Sequence, residues 1–158
     1  MSRIWTPWRM KYIADRSVDA GCPFCEVYSG TDDTGNLIVY RGKKGFVMLN
    51  RFPYTTGHMM VLPVVHKEKL SELDQETRAE MTELVTHASE VLNLVYQPEG
   101  FNIGLNIGAA AGAGIPQHLH WHIVPRWVGD TNYMTTVGET RLIPEALEDT
   151  YQKIKSNW

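Results

Sequence analysis

His118-Leu119-His120-Trp121-His122-Ile123-Val124 is the stretch on which this chain's reading turns. Three of the chain's six histidines fall there on alternate positions. The intervening and following residues are apolar or β-prone, and Pro125 closes the run, so the pattern predicts a strand. Alternate side chains of a strand share a face. His118, His120 and His122 then stand on one side, with Leu119, Trp121 and Ile123 on the other, facing a core. Geometry limits what the imidazoles can do together. At about 3.3 Å per residue, His118 and His122 lie roughly 13 Å apart. Zinc holds its nitrogen ligands at about 2.0–2.1 Å, so one ion does not take all three rings. Either two neighbours share a metal or the three divide their work along the strand. The second reading is preferred.

The loop feeding this strand is Gly108-Ala109-Ala110-Ala111-Gly112-Ala113-Gly114-Ile115-Pro116. Small side chains leave backbone N–H groups open to an anion, and the neighbouring histidines favour that use over a plain bend. It is not a P-loop, because no Gly-Lys-Ser/Thr follows and the next element is a strand.

Upstream, Leu37–Tyr40, Phe46–Asn50 and His58–Pro63 read as three strands joined by short connections, which favours antiparallel pairing. Asn50 and His58 flank the Pro- and Gly-containing loop between the last two, where ligand groups tend to collect. Residues 71–96 carry apolar positions at helical spacing (Met81, Leu84, Val85, Ala88, Val91, Leu92, Val95), with Asp74 as N-cap and Pro98 and Gly100 beyond the end. His87 lies off that stripe and is read as an exposed helix residue. Phe101–Ile107 alternates as a further strand. Gly129–Leu142 reads as irregular, and residues 144–158 as a closing helix with Leu147, Tyr151, Ile154 and Trp158 on one stripe.

Cys22-Pro23-Phe24-Cys25 holds the only two cysteines. The spacing suits a zinc half-site completed by histidines, two unoxidised thiols, or a redox pair. A redox pair should end a strand and open a helix within a βαβ pattern, and no such pattern follows. His66, just past Val61-Leu62-Pro63-Val64-Val65, is either a solvated side chain or a third ligand.

At 158 residues the chain suits one domain, which would bury about 68–70% of its unfolded surface. With 43% apolar and 21% charged residues the mix is that of a soluble globular protein. A net charge of −3 gives no reason to expect a nucleic acid polymer, yet leaves room for a small anion held by local donors. No apolar run approaches about 18 residues, so no membrane span is expected. Residues 1–20 hold Trp5, Trp8, Met10, Tyr12 and Ile13 among basic residues, an aromatic arm that packs on its own domain or on a second subunit. Nothing in it resembles an apolar signal core, so a cytoplasmic protein is expected.

These residues resemble the histidine triad (HIT) family of nucleotidyl hydrolases and transferases, whose signature is His-x-His-x-His followed by two apolar residues. Phe46-Val47-Met48-Leu49-Asn50 and Pro53-Tyr54-x-x-Gly57-His58-Met59-Met60-Val61-Leu62-Pro63 extend the likeness, which runs from about Cys22 to Trp127. The N-terminal Trp5-Thr6-Pro7-Trp8-Arg9-Met10 and the tail after Trp127 resemble a bacterial branch that includes phosphorylases of diadenosine tetraphosphate. The resemblance implies an α+β, HIT-like fold: a five-stranded antiparallel sheet with one long helix and a short C-terminal helix. It implies a single HIT domain over 1–158, with the arm at 1–20 and a C-terminal extension at 128–158, and a homodimer. It implies cleavage of a nucleotide or dinucleoside polyphosphate at the α-phosphate. His120 would be the nucleophile, its near N–H held by the His118 carbonyl. His122 and His58 would bond phosphate oxygens. Asn50 would hold the ribose, and Asn106, Gly112, Ala113, Gly114, Ile115 and His118 would complete the nucleotide site. Cys22, Cys25, His66 and His118 would bind a structural Zn²⁺, and Mg²⁺ would arrive, if at all, with the substrate.

One departure bears on the chemistry. Many members place Gln and then Ser or Thr after the loop glycine, where this chain has Ala113-Gly114-Ile115. A loop poorer in polar side chains leaves room for inorganic phosphate as acceptor in place of water. Competing readings are a nucleoside phosphoramidate or other nucleotide-conjugate hydrolase, a nucleotide-binding module without turnover, and a zinc hydrolase with its metal on the triad.

Overall fold

The computed structural model describes residues 21–138 and 143–158. The aromatic arm at 1–20 lies outside them. A single antiparallel sheet organises the rest, in the order β1-β2-β3-β5-β4. Its strands are β1 (Ile38–Arg41), β2 (Gly45–Leu49), β3 (Met59–Pro63), β4 (Gly100–Leu105) and β5 (Trp121–Arg126). Four helices accompany it: α1 (Pro23–Ser29), α2 (Gln75–Tyr96), α3 (Tyr133–Thr136) and α4 (Leu147–Lys155). The expected α+β architecture is what forms.

Every residue of β2 and β3 is buried, because both faces of the sheet are covered. On one face Val47, Leu49, Met59, Val61, Leu119 and Ile123 meet the apolar stripe of α2 and Tyr151 and Ile154 of α4. On the other, Ile38, Phe46, Met48, Met60 and Leu62 meet Phe24 of α1 and Ile115 of the small-residue loop. Each such side chain contributes about 1.5–3 kcal/mol when fully buried. Met60 pairs with His122 across β3 and β5, so the histidines stand on this second face. The site is thus backed by a filled core.

Helix α2 is set by the Asp74 side chain, which accepts the Thr77 N–H at 2.6 Å. It ends at Gln97, in the left-handed region at φ 46°. The helix expected from residue 71 starts later, because Leu70–Glu72 form a separate 3₁₀ turn and Leu73 is extended.

Strand β5 begins at Trp121, three residues later than the histidine pattern suggested. The Leu119 N–H is taken by Lys67 O at 2.7 Å and the His118 N–H by Ile115 O, so this stretch bonds outside the ladder. Pro125 lies inside the strand and does not close it. Pairing of β3 with β5 has ended at Ile123, and the Pro125 carbonyl on that side accepts the Thr55 hydroxyl. A missing N–H there costs no ladder bond.

The two sheet edges are treated differently. On β1 the Tyr151 hydroxyl caps Ile38 O at 3.1 Å and Lys155 Nζ caps Val39 O at 2.7 Å. On β4, no side chain among the described residues bonds an outward main-chain group, and Ile103 and, just beyond, Ile107 are exposed.

Candidate active site and metal centre

Cys22 sits at the N-cap of α1, with Pro23 opening the helix. One turn later Cys25 returns to the same side. Both sulfurs meet imidazoles from distant segments. Cys22 Sγ lies 3.3 Å from His118 Nδ1, and Cys25 Sγ lies 3.5 Å from that atom and 3.3 Å from His66 Nδ1. All four donor atoms fall within 4.8 Å of one another. Zinc–sulfur and zinc–nitrogen bond lengths predict a tetrahedral S···N edge of about 3.6 Å, which these contacts approach. His118 Nε2 donates to Pro63 O at 2.9 Å, so Nδ1 carries its lone pair toward the sulfurs. Without an ion the Cys25 thiol is pushed up to about 11, by burial first and then by Cys22, and a bound cation would reverse that penalty. The Cys₂His₂ set fits a tetrahedral ion such as zinc. Helix α1 does open at the first cysteine, as in a redox pair, but two imidazoles facing the thiols are the ligand set of a metal.

Nearer the cleft the remaining histidines form a hydrogen-bonded row. His120 Nδ1 donates to His118 O at 2.8 Å, which leaves Nε2 unprotonated. Phe24 packs against both rings, with centroids 5.6 Å from His118 and 5.1 Å from His120. The His120 and His122 rings meet edge to face at 4.9 Å. His58 Nδ1 accepts the Tyr54 main-chain N–H at 3.1 Å, so its proton resides on Nε2. That proton is donated to His122 Nδ1 at 2.9 Å, which puts the His122 proton on Nε2. The row therefore offers one lone pair, on His120, beside one N–H donor, on His122. Burial holds His118 and His120 below the usual imidazole range and takes His122 down to about 4. All three are neutral at pH 7.

The structure brings Asn50 to His58: Nδ2 lies 3.3 Å from His58 Nδ1, while Oδ1 accepts the Phe52 N–H at 2.9 Å. In this conformation the amide orients His58, in addition to facing the cleft where a ribose was expected. Asn106 lines the same cleft as His122. His118 was expected at both the nucleotide and the metal. Its ring is 1% exposed and engaged by Pro63 and the cysteines, so what it presents to the histidine row is its carbonyl oxygen, which holds His120. That division leaves only the first ring of the triad, His118, among the metal-binding candidates, because His120 and His122 are not part of the Cys₂His₂ cluster.

Within the small-residue loop, Gly108 and Gly112 adopt φ 82° and 85°, bracketing a 3₁₀ turn at Ala109–Ala111. The Gly112 N–H closes this turn on Ala109 O at 3.0 Å. Gly112 is therefore a shaping residue and does not offer that N–H to an anion, contrary to expectation. The later residues Ala113, Gly114 and Ile115 lead toward His118, with Ile115 anchored in the core.

Two contributors escaped the sequence reading. Phe24, between the cysteines, walls the His118 and His120 rings. Tyr54 orients His58 through its N–H and lays its ring against His58 and His122, with centroids at 4.6 Å and 6.0 Å. The Pro53-Tyr54 pair before Gly57-His58 was visible as a loop, but a loop aromatic gives no sign of which ring it covers.

Alternate histidines leading into a strand, beside a Cys₂His₂ cluster and on the sheet face opposite a long helix, define the histidine triad class. The chain belongs to the HIT family: the HIT domain model matches residues 33–128. It is 39% identical over 166 residues to an AP-4-A phosphorylase of Mycobacterium tuberculosis, covering 100% of this chain and 85% of that protein. It is 32% identical over 108 residues to the asymmetrical bis(5'-nucleosyl)-tetraphosphatase of Schizosaccharomyces pombe, covering 66% of this chain and 57% of that one. Among solved structures, a Zn-bound histidine triad family protein from Mycobacterium smegmatis superposes with a TM-score of 0.69 at 26% identity, over 87% of this chain and 92% of that chain.

Proposed function

We propose that this protein cleaves dinucleoside polyphosphates of the diadenosine tetraphosphate type at the α-phosphate, through a covalent nucleotidyl-His120. The observation that carries this reading is a buried, neutral His120 whose Nδ1–H is anchored on His118 O, leaving a lone pair on Nε2 beside the His122 N–H. That lone pair attacks the α-phosphorus. A phosphorus–nitrogen bond forms, the bond from phosphorus to the bridging oxygen breaks, and the nucleoside triphosphate departs with the bond's electron pair. The His122 N–H stabilises charge on the phosphoryl oxygens, backed by His58. An acceptor oxygen then attacks the adduct and restores His120. With inorganic phosphate as acceptor the products from diadenosine tetraphosphate are adenosine diphosphate and triphosphate. With water they are the monophosphate and triphosphate.

Phosphate is the preferred acceptor. The relative named a phosphorylase matches the whole chain, and Ala113-Gly114-Ile115 supplies no side-chain hydroxyl or amide to position water. The Cys₂His₂ ion is structural in this reading, and Mg²⁺ would come only with the polyphosphate. A reduced cysteine pair suits the cytoplasm. The bare β4 edge, against the capped β1 edge, supports a homodimer formed by pairing β4 with its copy. Product analysis with diadenosine tetraphosphate, with and without phosphate, tests the reaction. Diphosphate plus triphosphate appearing only with phosphate is expected; undiminished turnover without phosphate refutes the phosphorylase reading.

A further inference from the structure

His58 is 1% exposed, and both nitrogens of its ring are committed. The Tyr54 main-chain N–H donates to Nδ1 at 3.1 Å, and Asn50 Nδ2 stands 3.3 Å from the same atom. The direction of that second amide is set independently. Asn50 Oδ1 accepts the Phe52 N–H at 2.9 Å, which turns the N–H₂ group toward His58. Two N–H groups therefore converge on one lone pair, and a proton on Nδ1 would set donor against donor. The opposite nitrogen keeps the proton and gives it in a hydrogen bond to His122 Nδ1 at 2.9 Å. His122 then has its Nδ1 filled and presents Nε2–H. Burial, which takes His122 down to about 4, acts in the same direction.

A hydrogen bond can be given along this row, but a proton cannot be passed along it. Were His122 to release its Nε2 proton to a leaving group, its Nδ1 would have to take the His58 proton in exchange. His58 would then need a proton at Nδ1, where its donors are a peptide N–H and a carboxamide N–H. Neither is an acid in water, so the relay has no source. Leaving groups differ in whether this matters. When the bond from phosphorus to an anhydride oxygen breaks, the electron pair goes to a polyphosphate, which is stable as an anion and needs no proton. When a phosphorus–nitrogen bond or a bond to an alkyl ester oxygen breaks, the pair lands on a strongly basic nitrogen or alkoxide. That group has to be protonated as it departs.

We propose that Asn50 is a positioning residue that, with the Tyr54 N–H, locks His58 as a neutral Nε2–H donor, and so confines the enzyme to substrates whose leaving group departs as a stable anion. Nucleoside phosphoramidates and alkyl esters are excluded. The inference rests on the reading of His120 as nucleophile, and it adds which bond that nucleophile can break. Tyr54 and His122 flank His58 by ring contact, and Arg51 and Glu145 line the small cavity behind its loop. Arg51 donates to Gly35 O, and Glu145 is engaged by Tyr96, Thr150 and Lys153.

The test varies the leaving group on one adenylyl unit, with inorganic phosphate present throughout: diadenosine tetraphosphate, the p-nitrophenyl and phenyl esters of adenosine 5'-monophosphate, and adenosine 5'-phosphoramidate. General acid catalysis typically contributes about 10²–10⁴-fold, and basic leaving groups should miss it here. In the unaltered protein kcat/KM should fall by about 10²-fold or more from the p-nitrophenyl to the phenyl ester, and from diadenosine tetraphosphate to the phosphoramidate. Asn50→Asp replaces an N–H donor with an acceptor and draws a proton onto Nδ1. His58 becomes an imidazolium able to hand its Nε2 proton to His122. This variant should narrow the phosphoramidate gap by about tenfold or more and add a limb on which activity falls as pH rises. Asn50→Ala, which adds no acceptor, should lower turnover of every substrate and leave the gap as it is. In ¹⁵N NMR of the histidine-labelled, unaltered protein, the His58 proton should sit on Nε2 from about pH 5 to 8. A proton on His58 Nδ1 in that spectrum overturns the lock. So does a shallow dependence on the phenol, phosphoramidate turnover equal to that of the diadenosine substrate, or an Asn50→Asp protein that behaves like Asn50→Ala. A protein that turns over none of these substrates takes down the functional reading and the leaving-group restriction with it; the spectrum tells that failure from a failure of the lock.

Discussion

His118 O accepts the Nδ1–H of His120 at 2.8 Å, and the ring of the same His118 faces Cys22 and Cys25. One residue therefore joins the Cys₂His₂ cluster to the proposed nucleophile, by its side chain on one side and its main chain on the other. An ion held by Cys22, Cys25, His66 and His118 fixes the His118 backbone, and that carbonyl fixes the tautomer and direction of His120. Chelation, or Cys25→Ser, should release zinc in one-to-one stoichiometry and lower the melting temperature by about 10 °C or more. Activity should fall along with stability, on the timescale of metal loss. Immediate inhibition with an unchanged melting temperature would instead place the ion in the reaction itself.

Substitution within the row should separate the proposed nucleophile, His120, from the rings proposed to support it. His120→Ala should cut turnover by roughly 10³-fold or more and abolish any acid-labile phosphorus–nitrogen adduct, because no other unprotonated ring nitrogen is left at that position. His122→Ala should cost about 10²–10³-fold while still allowing the adduct to form slowly. Quenched single-turnover reactions followed by mass spectrometry check both. An adduct surviving in His120→Ala protein would move the nucleophile elsewhere.

Gly57 precedes His58 and holds φ at 78°, and a Cβ there would lie 2.9 Å from Leu92 Cδ2 on α2. Backbone strain and steric contact therefore act together. Gly57→Ala should destabilise the protein by about 1–3 kcal/mol in urea unfolding. It should lower kcat as well, because His58 is oriented by this loop. A variant as stable and active as the parent would show that α2 yields freely at this contact.

Periodicity carried most of the architecture. Five strands, the long helix and its Asp74 cap were legible because apolar spacing and capping act locally. The histidine triplet, too, was read as a division of labour from rise per residue alone. What failed were boundaries fixed by distant partners. Lys67 O draws the Leu119 N–H away from the ladder, and the end of β3 pairing lets Pro125 sit within β5. Helix α1 was missed although Pro23 stood at its first position, because seven residues are too few to show periodicity. Tyr54 and Phe24 gave no local signal, since their role consists in which rings they touch after folding. The Gly112 N–H was assigned to an anion because a sequence shows small residues but not the turn they close on themselves.

Acid should weaken this fold through the histidine row, and the direction follows from proton counts. His122 titrates near 4 in the folded protein because burial disfavours the charged ring, with His120 beside it adding to the effect. In the unfolded chain the same ring titrates near about 6.5. Between those values the unfolded state binds more protons, so stability rises with pH across the window and falls as pH drops through it. The contribution is complete above about pH 7, and about 2 kcal/mol of it is gone by pH 5, an upper figure because the ring is partly exposed. His118 and His120 are shifted the same way and steepen the loss. Urea midpoints at pH 7.5, 6 and 5 should therefore decline together, and His122→Asn should flatten the profile by removing one titrating ring. A midpoint independent of pH from 7.5 to 5 would mean that these rings are as accessible to protons in the folded protein as in the unfolded one. That would be incompatible with a buried neutral row.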